Sequence, residues 1–247
     1  MQLQGECFRE QKGRRTQRIL IDEQSYFIKQ HFGVGWKEIF KNLIQFKLPI
    51  LSAKNEWQAI QRLQSLSVLT PTIKAYGRRG LNPARLQSFL LMEELKPTVS
   101  LEDFCRDWKN QPPSFSLKQA LIRRVAHIAK IMHENGINHR DFYICHFLLD
   151  PRSLENEKWS ETLKLYLIDL HRAGLHKSLR KRWVIKDLAG LYFSSKDLGL
   201  TSRDLWRFIK FYRQQPLRDI ILQEDGFWRK VTIRGEKLYN AHALPQR

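Results

Sequence analysis

Two aspartates beside short apolar segments constrain most strongly how this chain can fold. The first closes the triplet His139-Arg140-Asp141 and is followed by a mostly apolar segment. The second, Asp169, ends the apolar run Leu165–Ile168. Short apolar runs bounded by polar residues are typical of buried strands. The pattern therefore predicts two short strands, with one aspartate before the first strand and the other after the second.

This pair of features resembles the catalytic core of protein kinases. In those enzymes a His-Arg-Asp triplet forms the catalytic loop, and a later aspartate holds the metal ion of the nucleotide. Asp141 is the candidate general base, because a carboxylate can accept a hydrogen bond from a hydroxyl and then take its proton. His139 and Arg140 complete the candidate catalytic triplet. Asp169 is the candidate Mg²⁺ ligand, because Mg²⁺ takes hard oxygen ligands.

Two histidines depart from the protein-kinase pattern. His146 stands five residues after Asp141, where protein kinases use an asparagine to bind a second metal ion. We keep His146 as a candidate metal ligand, although imidazole prefers softer metals than Mg²⁺. Two alternatives stay open for it, a hydrogen bond to Asp169 and simple packing. His171 stands where the kinase metal motif has glycine, which predicts a stiffer loop.

Hydrophobic periodicity divides the chain into a strand-rich first part and a helical second part. Strand patterns at 18–21 and 26–29 flank a polar turn and predict a hairpin. Further strand patterns lie within 72–92, with an amphipathic helix at 56–66 before them. The clearest helix, 117–134, has an apolar stripe of Leu121, Val125, Ile128 and Met132 and leads directly into the catalytic triplet. We therefore predict an α+β, protein-kinase-like bilobal fold with the active site in the cleft. Its predicted parts are a β-rich N-lobe at 1–93, a hinge at 94–98 and a mainly helical C-lobe at 99–247.

Candidate nucleotide-binding residues lie in the predicted N-lobe and hinge. They are Lys29, Glu56, Gly13, Arg14, Glu93 and Leu95. Lys29 ends a predicted strand, where kinases place a phosphate-binding lysine, and Glu56 begins the amphipathic helix as its candidate ion-pair partner. Gly13 is the only glycine in the predicted phosphate loop, so backbone amides alone cannot wrap the phosphates. Arg14 is a candidate phosphate contact instead, although a basic turn explains it equally well.

Positive charge is the outlying property of the composition. The chain has 43 Lys and Arg against 25 Asp and Glu, a formal charge of +18. Such a charge concentrates polyanions near the protein. A basic segment without acids follows Asp169, where kinases keep the substrate-recognition segment, and a solvated basic loop is the alternative explanation. The candidate substrate-binding residues are Arg172, Lys177, Arg180 and Arg182.

A second basic segment, residues 35–44, combines one apolar helical face with two lysines. Such a helix can lie in a membrane interface, bind an acidic partner or pack on its own lobe, and packing is the more common arrangement. No segment approaches the roughly 20 apolar residues that a membrane span needs. The chain also begins without an apolar signal core. We therefore expect a cytoplasmic protein.

Several tracts resemble the lipopolysaccharide core heptose(I) kinase family, WaaP/RfaP. They are Gly13–Thr16, Asn138–Leu149, Ile168–Ala173, Lys186–Ala189 and Leu191–Phe193. The resemblance runs from about Glu6 to Tyr239, and His146 and His171 fit the pattern of this family. The related Kdo kinases are the nearest alternative, but the tract Tyr143–His146 resembles them less.

This resemblance implies a kinase-like fold and transfer of the γ-phosphate of ATP, with Mg²⁺, to the first heptose of the lipid A-linked core oligosaccharide. It implies Asp141 as the catalytic aspartate and Asp169 as the metal aspartate. It also implies a bacterial cytoplasmic enzyme that is peripheral at the inner face of the cytoplasmic membrane. The predicted partners are the anionic acceptor, that membrane surface and an acidic protein such as a carrier protein, with no nucleic acid.

Three other hypotheses remain open from the sequence. The first is a protein kinase, with tyrosine as a candidate acceptor. The second is a pseudokinase-like module that binds an anionic glycolipid or acidic protein, suggested by the poor glycine loop and by His146. The third is nucleic-acid binding by charge alone, without any nucleic-acid-binding motif that we recognise.

Overall fold

The computed structural model of the chain describes residues 5–11, 13–44, 52–155 and 162–243. The chain divides into two compact units. The first comprises Met1–Gln64, Thr70–Leu95 and Asp169–Arg172, and the second comprises Ser65–Leu69, Lys96–Ile168 and Ala173–Arg247. A β-sheet dominates the first unit and helices dominate the second. The α+β class is therefore confirmed, while the lobe boundaries and the hinge at 94–98 stay predictions.

The first unit is built on a five-stranded antiparallel sheet with the order β1-β2-β3-β5-β4. Its strands are β1 (Glu6–Gln11), β2 (Arg14–Ile21), β3 (Gln24–His31), β4 (Ile73–Arg79) and β5 (Gln87–Glu93). Asp22 and Glu23 form the two-residue turn between β2 and β3, and both have positive φ. Two successive positive φ angles give a turn whose twist matches that of the paired strands. The predicted hairpin is therefore confirmed.

Two helices accompany the sheet, α1 (Gly35–Ile44) and α2 (Lys54–Ser65). In α2, Ala59, Ile60 and Leu63 are buried. The indole of Trp57 stacks on the ring of Tyr76 in β4, with ring centroids 4.7 Å apart. The apolar face predicted for this helix is thus the face that packs, and it fixes the first turn of α2, including Glu56, against the sheet.

Helices form most of the second unit. They are α3 (Leu101–Phe104), α4 (Phe115–Glu134), α5 (Lys181–Ser195), α6 (Ser202–Arg213) and α7 (Leu217–Ala243). Helix α4 packs on α6, and α5 packs on α7. The predicted stripe of α4 is buried and consists of Leu121, Val125, Ile128 and Met132. The periodicity thus predicted α4 correctly, whereas α7 was not predicted.

Two small sheets hold the segment that contains the aspartates. In one, β6 (Val99–Ser100), β8 (Phe147–Leu149) and β9 (Leu165–Leu167) run in the order β6-β8-β9. In the other, β7 (Ile137–Asn138) pairs with β10 (Gly174–Leu175). The strands predicted after Asp141 and before Asp169 are therefore β8 and β9, an antiparallel pair.

Gly136 connects α4 to β7 through a conformation that side chains disfavour. Its φ is +74°, and a Cβ atom here would lie 2.0 Å from the carbonyl oxygen of His176. Only glycine combines this backbone angle with so close an approach. The end of α4 is thereby set directly before the catalytic triplet.

Candidate active site

Three predicted residues meet in the first unit. The Nζ atom of Lys29 in β3 lies 2.6 Å from Oε1 of Glu56 and 3.2 Å from Oδ1 of Asp169. The side chain of Glu56 is buried, with 2% of its surface exposed. A buried carboxylate is costly unless it is paired and hydrogen-bonded, so Lys29 and Glu56 stabilise each other in place.

The surroundings of Lys29 keep it charged. Burial by itself lowers the pKa of the Lys29 ammonium, but Glu56 and then Asp169 raise it by Coulomb attraction and by hydrogen bonds. The net pKa is above the usual lysine value. A permanently charged ammonium between two carboxylates suits a group that binds phosphate oxygens.

Asp169 occupies a strained position just after β9. Its φ is +60°, in the left-handed region that aspartate tolerates better than most residues. Its Oδ1 atom accepts a hydrogen bond from Nδ1 of His171 at 2.7 Å, in addition to the bond from Lys29. His171 therefore orients the candidate metal-binding carboxylate, a role that glycine at this position could not perform.

A cavity of about 70 Å³ opens beside this cluster in the first unit. Its lining includes Arg14, Lys29, Glu56 and Asp169, four residues that the sequence predicted, together with His31. Burial lowers the pKa of the Arg14 guanidinium, and the nearby charges of Arg9 and Arg172 lower it further. A cavity rich in partly buried cations has the charge that a polyphosphate requires.

His31 is a cavity residue that sequence analysis missed. It is 5% exposed, and its Nδ1 atom is buried without a hydrogen-bond partner among the described residues. Burial, followed by the charges of Arg14, Lys29 and His171, lowers its pKa to about 4. The ring is therefore neutral at pH 7. The sequence contained a signal for this position. Side chains two residues apart on a strand face the same side of the sheet, and His31 follows Lys29 by two residues.

Gly13 has a structural reason for being glycine. It forms the β1–β2 turn with a φ of +80°, and a Cβ atom here would lie 2.7 Å from the carbonyl oxygen of Gly33. The Gly13 carbonyl also accepts a hydrogen bond from the Phe32 amide. The turn geometry accounts for this residue, and its assignment to nucleotide binding stays a prediction.

In the second unit, Asp187 fixes the catalytic triplet. This α5 carboxylate is fully buried and accepts hydrogen bonds from the backbone amides of His139 at 2.7 Å and Arg140 at 2.9 Å. The φ of Arg140 is +71°, a left-handed conformation that arginine seldom adopts. Asp187 thus holds a strained backbone immediately before Asp141. This role of Asp187 was not predicted.

His146 also supports the loop. Its Nδ1 atom donates to the backbone carbonyl of Asp141 at 2.7 Å, and its ring stacks on that of His139 with centroids 5.5 Å apart. The backbone carbonyl of His146 accepts a hydrogen bond from the amide of Ile168. These contacts assign a positioning role to His146, and its role as a metal ligand stays a prediction.

A buried polar chain extends behind Asp187. Nε2 of His133 in α4 lies 3.5 Å from Oδ2 of Asp187, and its Nδ1 atom lies 2.8 Å from the hydroxyl of Tyr212 in α6. Burial raises the pKa of the Tyr212 hydroxyl. The phenol therefore stays protonated and can donate to the imidazole. The hydrogen-bonded pair of Tyr212 and His133 links α6 to α4 close behind Asp187 and was not predicted.

The remaining predicted residues are less enclosed. Lys177, Arg180 and Arg182 are exposed on the second unit, and Arg180 precedes the first residue of α5. Glu93 is engaged in the first unit by Lys74 at 2.7 Å, which lowers the pKa of its carboxyl group. Leu95 is half-buried. Their assignments to acceptor and nucleotide binding stay predictions.

Comparison with protein families decides the class to which this site belongs. The sequence model described as "Lipopolysaccharide kinase (Kdo/WaaP) family" matches residues 1–212. The chain belongs to this family. Of the hypotheses drawn from the sequence, the lipopolysaccharide sugar kinase is thus the one supported. Membership of a kinase family also implies ATP as the phosphoryl donor.

Curated relatives within this Kdo/WaaP family are similar over nearly the whole chain. The lipopolysaccharide core heptose(I) kinase WaaP of Pseudomonas aeruginosa strain PAO1 is 50% identical over 237 residues, covering 96% of this chain and 87% of the relative. The enzyme with the same name from Escherichia coli strain K12 is 47% identical over 236 residues, covering 96% and 88%. The resemblance inferred from the sequence is therefore confirmed.

A solved structure from this family shares the fold. It is described as WaaP in complex with acyl carrier protein, and it matches with a TM-score of 0.82 at 45% identity. The match covers 96% of this chain and 90% of the solved chain. The kinase-like fold predicted from the sequence is thus confirmed.

A kinase of this family implies a Mg²⁺ ion, and the residues of the site fit such an ion. Among the described residues, no group of three or more His, Cys, Asp and Glu side chains is arranged to hold a metal ion. This agrees with Mg²⁺ chemistry in kinases, where one or two carboxylates and the nucleotide phosphates bind the ion and water completes the shell. The Asp169 carboxylate is a suitable donor of this kind.

Proposed function

We propose that this protein transfers the γ-phosphoryl group of ATP, with Mg²⁺, to a hydroxyl of the first heptose of the lipopolysaccharide inner core. The observation that carries the proposal is the ion-paired cluster of Lys29, Glu56 and Asp169 beside a cationic cavity. It stands in a chain about half identical to relatives named for this activity. The net charge of +18 also suits an anionic acceptor.

The first unit supplies the nucleotide side of the reaction. Lys29, held by Glu56, would bind phosphate oxygens, and Arg14 would add a second cation in place of a glycine-rich loop. The neutral ring of His31 would offer a hydrogen bond without adding charge. Asp169 would hold Mg²⁺, which neutralises the charge of the phosphates when it is bound.

The second unit supplies the acceptor side. Asp141 would accept the proton of the attacking heptose hydroxyl while the hydroxyl oxygen bonds to the γ-phosphorus of ATP. The bond from that phosphorus to the bridging oxygen would break, and ADP would leave with its electron pair. Asp187 and His146 fix the backbone on either side of this carboxylate. These contacts would hold the base within hydrogen-bond reach of the acceptor hydroxyl, so that it can take the proton as the new bond forms.

The test is phosphoryl transfer from labelled ATP to lipopolysaccharide that lacks core phosphate. We expect label in the core heptose, lost when Mg²⁺ is removed with a chelator and restored when it is added back. Lipopolysaccharide already phosphorylated on this heptose is the matched control acceptor. A folded, ATP-binding protein that leaves the core unlabelled but labels a tyrosine polymer would instead support the protein-kinase hypothesis.

Helix α1 supports a further proposal, peripheral association with an anionic bilayer. The exposed fractions are 51% for Trp36, 57% for Phe40 and 78% for Ile44, at a spacing of four residues along one face. Lys37 and Lys41 are exposed beside that face. The more common alternative, packing of this apolar face on its own lobe, holds for Ile39, which is buried, and leaves these three side chains exposed. Aromatic and basic residues together favour an anionic membrane interface.

Vesicle flotation tests the role of α1. We expect the protein to float with anionic vesicles, and the double substitution Trp36→Ser with Phe40→Ser to reduce the bound fraction about 10-fold, because both rings insert at the acyl boundary. Leu222→Ser removes an exposed apolar side chain on α7, outside α1, and is the control. Equal binding of the double variant and the control would contradict this proposal.

No described helix is long and apolar enough to cross a membrane.

An acidic carrier protein is the partner that we propose in addition. The solved relative is a complex with acyl carrier protein. The second unit contains an apolar cavity of about 200 Å³, lined in part by Leu121, Leu188 and Phe208, which is of a kind that could receive an acyl chain. Intact mass spectrometry of the purified protein tests this. A preparation without any acidic companion, and unable to bind one, would overturn it.

A further inference from the structure

Three cationic side chains converge on one indole ring in the second unit. The guanidinium carbons of Arg140 and Arg182 lie 5.3 Å and 5.0 Å from the ring centroid of Trp183, and Nζ of Lys186 lies 5.9 Å from it. A cation is attracted by the negative face of an indole. Trp183 therefore gathers three positive charges from two separate segments of the chain, the catalytic triplet and α5.

This arrangement opposes the electrostatic preferences of the helix itself. Arg182 and Lys186 are four residues apart in α5, a spacing at which like charges repel. The first turn of α5 contains no acidic residue, and Arg180 provides no side-chain cap. Helix N-termini favour anions because the free backbone amides and the positive end of the helix dipole lie there. An anion beside Arg182 and the start of α5 would be attracted both by the helix end and by these cations.

The positive potential extends to the neighbouring loop. Burial lowers the pKa of His176, and the charges of Arg140 and Arg180 lower it further. The Nε2 atom of His176 donates to the side-chain oxygen of Asn138 at 3.0 Å. His176 therefore adds a neutral hydrogen-bonding ring and not a further charge. Arg140, one of the three cations, immediately precedes Asp141, the candidate general base.

We propose that Arg140, Arg182 and Lys186, gathered on Trp183, bind a carboxylate or phosphate substituent of the acceptor, next to the sugar whose hydroxyl reacts. The inference rests on the proposed function and deepens it. Guanidinium groups bind such anions through paired, charge-assisted hydrogen bonds. The anion would anchor the acceptor, so this cluster would determine which glycolipids the enzyme accepts. Trp183 acts as a positioning residue, because it holds the cations and need not touch the anion.

Steady-state kinetics with Arg182→Gln and Lys186→Gln test this cluster. We expect each variant to raise the KM for the acceptor about 10-fold, the effect of losing one charge-assisted hydrogen bond. The kcat and the KM for ATP should stay within about 2-fold, because the lost contact is to the acceptor alone. Lys230→Gln, an exposed change of equal charge on α7, is the matched control.

Two modified acceptors identify the anion. One carries methyl-esterified carboxyl groups, and the other has had its phosphates removed. If a carboxylate is the ligand, the difference between wild type and Arg182→Gln should disappear with the esterified acceptor and persist with the other. The reverse result would identify a phosphate. A difference that persists with both acceptors would overturn the proposal.

Substitution of the ring gives a second readout. Trp183→Phe keeps an aromatic face and should keep the acceptor KM within about 2-fold, whereas Trp183→Leu should raise it several-fold.

If all cluster variants match Lys230→Gln while the wild type phosphorylates the acceptor, this inference is wrong and the proposed function stands. If the wild type itself transfers no phosphate, the proposed function is wrong.

Discussion

Asp141→Asn is expected to slow phosphoryl transfer strongly while leaving ATP binding intact. An amide oxygen can still accept a hydrogen bond, but an amide cannot take the proton of the acceptor hydroxyl. General base catalysis is typically worth about 10² to 10⁴ in rate. We therefore expect kcat to fall by about 10³ and the dissociation constant for ATP to change by less than about 2-fold. Single-turnover transfer to the core heptose and equilibrium nucleotide binding measure the two quantities.

The matched control for this change is Asp225→Asn, an exposed carboxylate on α7 that loses the same charge. It should retain full activity. If Asp141→Asn also retained activity, Asp141 would not be the base, and the resemblance of its loop to kinase catalytic loops would be structural only. Lost ATP binding in this variant would point to misfolding and not to chemistry.

Asp187→Leu is expected to reduce both stability and activity. It removes the acceptor for the buried amides of His139 and Arg140. A buried donor left without a partner costs about 1–3 kcal/mol, so two such donors cost about 2–6 kcal/mol. In a domain of this size that lowers the Tm by roughly 5–20 °C. The catalytic backbone also loses its anchor, and kcat should fall at least about 100-fold.

Asp187→Asn separates the two effects, because one oxygen remains as an acceptor. We expect about half the loss of Tm and a smaller loss of kcat. Calorimetry and kinetics on the folded Asn variant therefore keep the prediction testable even if the Leu variant does not fold. Unchanged kcat in a destabilised Asn variant would show that Asp187 supports the fold without positioning the loop. Tyr212→Phe, which removes only the far end of the polar chain, should have the mildest effect.

Local patterns predicted the parts of the fold that local sequence determines. The stripe of α4 and the β2–β3 hairpin follow from periodicity and turn chemistry, and both have the expected bounds within a few residues. Helix α7 was missed because its apolar residues do not form one stripe. Ile221, Leu222 and Ile233 are exposed. Its packing on α5 is a long-range contact that periodicity does not report.

The candidate site was predictable where a motif carries it. Lys29, Glu56 and Asp169 were named from strand ends and a helix start, and the structure brings their side chains together. His31 and Asp187 were missed as functional candidates because their importance comes from burial and from partners distant in sequence. The chemical roles of these residues stay predictions.

The left-handed backbone of Arg140 has a consequence for engineering. A non-glycine residue with this φ costs about 1 kcal/mol relative to glycine. Arg140→Gly would relax that strain but remove a cation from the ring of Trp183. Substitutions chosen only for thermostability would therefore favour glycine here and lose the cation that we propose for acceptor binding. A stabilised variant of this enzyme is best designed with the triplet 139–141 held fixed.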